Sequence, residues 1–173
     1  IERLNEAARI RPESHLPWVN LGTGRRLAGQ FDAAMHAARR AEELGADQAF
    51  LIMGQVLAEQ ERTDVFQRFI REEVAAMSSA PERVSALAKT LLDGDDAEYA
   101  VHALETACNL WPDEKALQER LAHALRVRAR GLVASGRPVE AELLLRRALQ
   151  LPFDTYDVLV ELGNLLKRQD GRG

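Results

Sequence analysis

The feature that most constrains this chain is a recurring run of small and apolar residues that ends on a proline. Ala100, Leu104, Ala107 and Pro112 form one copy, and Ala141, Leu145, Ala148 and Pro152 form another with the proline one residue early. Leu4, Ala7 and Pro12 give a third copy at the start of the chain. Spacings of three and four place these side chains on one face of a helix. Pro then stops the helix, since it lacks a backbone donor and restricts the residue before it. The rest of the sequence agrees with helix. Ala, Leu, Arg and Glu dominate its 173 residues, and all four are good helix formers. Strand-favouring residues are too thinly spread to build a sheet.

A second signature precedes the first. Trp18, Asn20, Leu21 and Gly22 open one amphipathic helix, and Gly29, Phe31, Asp32, Ala34 and Ala41 close it and open the next. Small residues at Gly22, Ala34 and Ala41 let two backbones approach, while Trp18 and Leu21 fill the space between paired helices. Gly29 suits a left-handed cap, and Asp32 lies where a helix start favours a carboxylate. This pattern resembles the tetratricopeptide (TPR) repeat, whose period is about 34 residues. The resemblance implies an all-α fold, a right-handed superhelical solenoid of antiparallel helix hairpins.

Counted in that register, the chain reads as one solenoid over 1–173. A partial repeat covers 1–14, and repeats follow at 15–48, 47–80, 81–114 and 122–155. A last partial repeat covers 156–173, so both ends are expected to belong to a longer array. The repeat at 47–80 is degenerate: Phe66 and Glu73 stand where small residues are usual. Phe66, Phe69, Ile70, Val74 and Met77 still make one apolar face. Residues 113–121 add about two turns before the fourth repeat, which also carries Arg128 in place of the usual Leu. Helices are predicted at 1–11, 15–28, 31–44, 47–60, 63–77, 82–93, 97–110, 114–135, 138–150 and 155–169.

The chemistry-bearing residues do not assemble into a catalytic set. His15, His36, His102 and His123 fall in different repeats, without metal-ligand spacing. Cys108, the single cysteine, lies six residues from His102 and so off its helical face; it is expected to act as a small hydrophobe at a helix interface. Gly22-Thr23-Gly24 lacks the strand and the Gly-Lys-Ser/Thr ending of a phosphate loop. The acidic run Asp93, Asp95, Asp96, Glu98 lacks calcium-loop spacing and reads as a turn with capping carboxylates. The net charge of −4 and the interleaved acids argue against a nucleic-acid partner, and no apolar run is long enough for a membrane span. No cofactor or metal is expected. One cysteine fits a reducing compartment, so a cytoplasmic location is expected ahead of a periplasmic one.

The expectation is therefore a non-catalytic scaffold that binds a peptide or partner protein. The resemblance implies that first helices line a concave groove. Its carried-over contacts are Leu16, Val19, Asn20, Thr23 and Arg26; Leu51 and Gln55; Lys89; and His123, Arg126 and Arg130. Asn20 stands where some TPR proteins hold a peptide backbone amide, but the family's carboxylate-clamp set is not reproduced. Arg126 and Arg130 share a helical face. They suit either an anion on a partner or pairing with Asp157 or Glu161 of the next hairpin. Two alternatives accompany the scaffold. One is the TPR arm of a larger glycosyltransferase- or sulfotransferase-like enzyme, and the other is self-assembly through exposed end hairpins.

Overall fold

A computed structural model describes residues 1–76, 80–94, 96–151 and 155–170, with side chains at 73–80, 169 and 170 left undescribed. Ten helices and no strand occur among the described residues. They are α1 (Glu2–Ile10), α2 (His15–Leu27), α3 (Phe31–Glu43), α4 (Gln48–Glu59), α5 (Thr63–Ala76), α6 (Ala80–Asp93), α7 (Ala97–Leu110), α8 (Lys115–Ala134), α9 (Pro138–Ala148) and α10 (Tyr156–Asp170). Each falls within two residues of its predicted bounds. Val74 and Met77 of the degenerate repeat's face, Asp95 of the acidic run and the closing Pro152 lie outside the described residues or side chains.

Short turns connect the helices, and their caps follow from the residues present. At the end of α2, Gly29 takes φ +69°, the Gln30 amide donates to the Arg25 carbonyl, and the Gly29 amide donates to Arg26. Gly136 does the same after α8 with φ +78°. This arrangement satisfies carbonyls that the helix leaves unpaired. After α4 the equivalent residue is Glu61, at φ 55°, the one non-glycine residue with positive φ among those described. Asp32 and Glu98 occupy first turns of α3 and α7, where the helix dipole favours them. Asp96 of the acidic run stands at the N-cap position of α7 and makes no side-chain cap bond to that helix.

The chain divides into two compact units, Ile1–Glu73 and Val74–Gly173. In the first, α2 packs on α1, α3 and α4, and α3 packs on α4. Its core is built of Ala34, Ala38, Ala41 and Ala49 with Val19, Ile52, Met53 and Val56. A Cβ added at Gly22 would meet the Ala34 carbonyl, the Ala38 amide and the Ile52 side chain, each at 3.5 Å, which is the close approach expected of that glycine. Trp18 packs on two clusters at once, one with Ala34 and Ile52, the other with Ala8 and Leu21. Its indole Nε1 donates to the Pro12 carbonyl at 3.0 Å. The degenerate repeat packs through large rings: Phe66 is fully buried, and Phe50 and Phe69 stack at 5.2 Å between centroids.

In the second unit α7 packs on α6 and α8, α8 on α6 and α9, and α9 on α10. Ala100, Ala103, Ala107, Ala122, Ala124, Ala141 and Ala148 are wholly buried, alongside Leu87, Leu104 and Leu125. Helix α8 runs 20 residues against 13 for α2. Its start is in the ordinary register: Gln118 donates to the Pro112 carbonyl just as Trp18 donates to Pro12, six residues along in each case. The seven added residues therefore extend its far end. Two turns nearly equal seven residues, so the buried face continues straight along the extension. Leu117, Leu121, Ala124, Leu125, Ala129 and Leu132 keep it buried throughout. Arg128 is accommodated at the surface, 3.1 Å from Glu98 of α7.

Candidate interaction surface

The extended α8 sets the geometry of the second unit's polar surface. Its first half faces α6 across a cleft of about 360 Å³. Glu82, Ser85 and Lys89 of α6 line this cleft with Ala116, Leu117 and Arg120 of α8. Its second half faces α10 across a cleft of about 420 Å³ lined by Arg130, Val133, Ala134, Glu161, Asn164 and Arg168, with Leu145 of α9 beneath. One helix thus serves two neighbours, at clefts offset along its axis by about 20 Å.

Between α8 and α10 runs a charged bridge. Arg126 donates to Glu161 Oε1 from Nε at 3.1 Å and from Nη2 at 2.7 Å, and to Asp157 Oδ2 from Nη1 at 3.1 Å. Arg130 donates to the same Glu161 oxygen. Burial pushes the Glu161 carboxyl up, but the hydrogen bonds and charges of the two arginines outweigh it and hold its pKa below the ordinary value. The Arg126 guanidinium is raised in turn, first by its bond to Glu161. In the first unit the corresponding bridge joins Arg26 of α2 to Glu59 of α4. Arg26 and Arg126 each lie fourteen residues after the proline, Pro12 or Pro112, that precedes their helix.

The sequence-predicted contacts separate into three groups. Leu16, Asn20, Lys89, His123 and Arg130 are exposed, and Thr23, Leu51 and Gln55 are half-buried. Arg26 and Arg126 are held in the bridges just described, with side chains 14% and 17% exposed. Val19 is a correction. It lies in the core between α2, α3 and α4, so its face of α2 is a packing face. Arg120 was missed, because counting back from α9 placed the fourth repeat's start after it. The Pro112-to-Gln118 spacing, equal to Pro12-to-Trp18, is the signal that recovers it.

Cys108 is half-buried on α7, and burial, followed by the charge of Glu105, raises its thiol to about 11. The four histidines lie on α2, α3, α7 and α8, and no group of metal-binding residues occurs among the described residues. None of the described helices is long and apolar enough to cross a membrane. On α3 and α9, Arg40 pairs with Glu43, Arg146 with Glu142, and Arg147 with Glu105 of α7.

Helix hairpins joined by tight capped turns, with small residues at their crossings, define a TPR-like helical repeat. Solved TPR proteins are similar to the chain. PilF of Pseudomonas aeruginosa shares 19% identity over 93% of this chain and 71% of its own, with a TM-score of 0.42. YrrB, described as a TPR protein with an unusual peptide-binding site, shares 16% over 98% of this chain and 84% of its own, with a TM-score of 0.44. In the Cut9–Hcn1 hetero-tetramer the identity is 17% over 96% of this chain, with a TM-score of 0.47, and the chain spans only 32% of the matched one. No protein-family model matches the sequence, and no curated protein does.

Proposed function

We propose that this chain is a protein-interaction scaffold whose first helices present the binding surface. The observation that carries this reading is the pair of clefts along α8, each open and edged by exposed polar groups. Counted from the preceding proline, α2 and α8 present the same strip: Leu16, Asn20, Thr23 and Leu27 on one, Ala116, Arg120, His123 and Val127 on the other. An exposed asparagine can donate and accept together, which suits a peptide backbone. Site-specific photo-crosslinkers test it. Crosslinkers at Asn20, Lys89 and His123 are expected to capture partners that crosslinkers at Arg39 and Arg146, on second helices, do not. Capture at the second-helix positions alone would overturn it.

A second reading is self-association. Val139 and Leu143 of α9 and Tyr156, Leu159 and Val160 of α10 are large apolar side chains left 45–70% exposed, a feature that favours association.

A further inference from the structure

We propose that the cleft between α8 and α10 anchors an extended acidic segment of a partner protein. Arg130 and Arg168 offer their guanidinium groups to its carboxylate, and the cleft's apolar wall takes a neighbouring aliphatic side chain. This inference rests on the scaffold reading and names the chemistry of the partner. The cleft's volume of about 420 Å³ lies in the range of ligand sites, about 300–1,000 Å³. Val133, Ala134, Leu145 and Leu165 supply apolar surface, and Asn164 supplies an amide.

Charge decides the sign of the partner. Three guanidinium groups, Arg126, Arg130 and Arg168, meet two carboxylates, Asp157 and Glu161, which leaves one positive charge uncompensated. The three cations are not equivalent. Arg126 is 17% exposed and already donates twice to Glu161 Oε1 and once to Asp157. Arg130 is 61% exposed and is the third donor on that one oxygen. It can turn to a partner carboxylate while Arg126 keeps the bridge between the helices. Arg168 makes no ion pair among the described residues and lies at the same cleft. Guanidinium groups match carboxylates in geometry as well as charge. The α6–α8 cleft has no such excess, since Lys89 and Arg120 are balanced there by Glu82 and Glu114.

The amide of Asn164 favours an extended occupant. An extended backbone arrives with unpaired donors and acceptors, whereas a helix has satisfied its own.

Fluorescence anisotropy with short, capped, fluorescein-labelled peptides tests the proposal on the whole chain. One peptide carries a central Glu-Leu pair between Gly-Ser flanks, and its counterpart carries Gln-Leu. The Glu peptide is expected to bind about tenfold more tightly, a difference typical of one charge-assisted contact. That preference should disappear in an Arg130→Gln, Arg168→Gln double variant and persist in Lys89→Gln. All three side chains are exposed, and circular dichroism verifies that the variants keep their helices. Equal affinity for the two peptides, no binding of the Glu peptide, or an equal loss with Lys89→Gln would each overturn the proposal. Tighter binding of a helix-stapled Glu-Leu peptide would overturn the extended geometry. Partner crosslinking at Asn20, Lys89 and His123 without any Glu preference would remove this inference and leave the scaffold reading standing.

Discussion

At the residue scale, the turn positions show how one backbone requirement is met with different residues. Gly29 and Gly136 adopt positive φ with no Cβ to crowd the backbone, while Glu61 adopts it with a side chain in place. The left-handed region costs an ordinary L-residue about 1 kcal/mol or more, because Cβ crowds the carbonyl oxygen. Glu61→Gly is therefore expected to stabilise the chain by about 0.5–1 kcal/mol, the gain being trimmed by the greater freedom of glycine in the unfolded state. Gly29→Ala should destabilise by a similar amount. Urea denaturation of the two variants beside the parent checks both signs. Gly29 was legible as a cap from the sequence. Glu61 was not, because nothing in the side chain of a glutamate announces a positive φ; only the position in the hairpin does.

At the scale of the element, α8 has the largest consequences. Its length was readable from the residues between Pro112 and Gly136, but the extra turns, expected at 113–121 before the fourth repeat, lie at the far end of the helix instead. Hydrophobic spacing alone fits either register, since a shift of seven residues preserves the helical face. The Gln118-to-Pro112 hydrogen bond resolves it. The same contact geometry answers the two-way reading of Arg126, whose side chain is committed to Asp157 and Glu161. A carboxylate with a depressed folded-state pKa contributes stability above its unfolded pKa and loses it as pH falls through the folded value. Docking of α10 on α8 should thus weaken below about pH 4, near the ordinary carboxylate range. Hydrogen exchange of α10, corrected for intrinsic rates, is expected to show that loss. Arg126→Met should lower α10 protection at neutral pH by about 1–2 kcal/mol, because it removes two of the three donors on the partly buried Glu161 and leaves only the more exposed Arg130 to pair with it. The acid dependence should flatten with it. Unchanged protection in that variant would mean that apolar packing alone holds α10.

At the scale of the whole molecule, contacts within each unit join helices that are near neighbours in the chain. Such an architecture passes strain only locally. Phe66→Ala, which empties a fully buried ring site of the first unit, should cost about 3–5 kcal/mol there. Exchange protection is expected to fall in α4 and α5 and to stay unchanged in α9; a matched loss in α9 would contradict local cooperativity.

The residue pattern by itself determined the helices, their pairing into hairpins and the small residues at the crossings. Those properties follow from spacing on a single helix and from glycine and proline at its ends, all of which are local. The tertiary structure decided what depends on a second helix. It buried Val19 rather than leaving it on an open face, committed Arg26 and Arg126 to bridges, and left Arg130 and Arg168 beside an apolar cleft. An arginine reads the same in the sequence whether a carboxylate waits across the groove or not. Its availability is set by the register between helices, which no single helix contains.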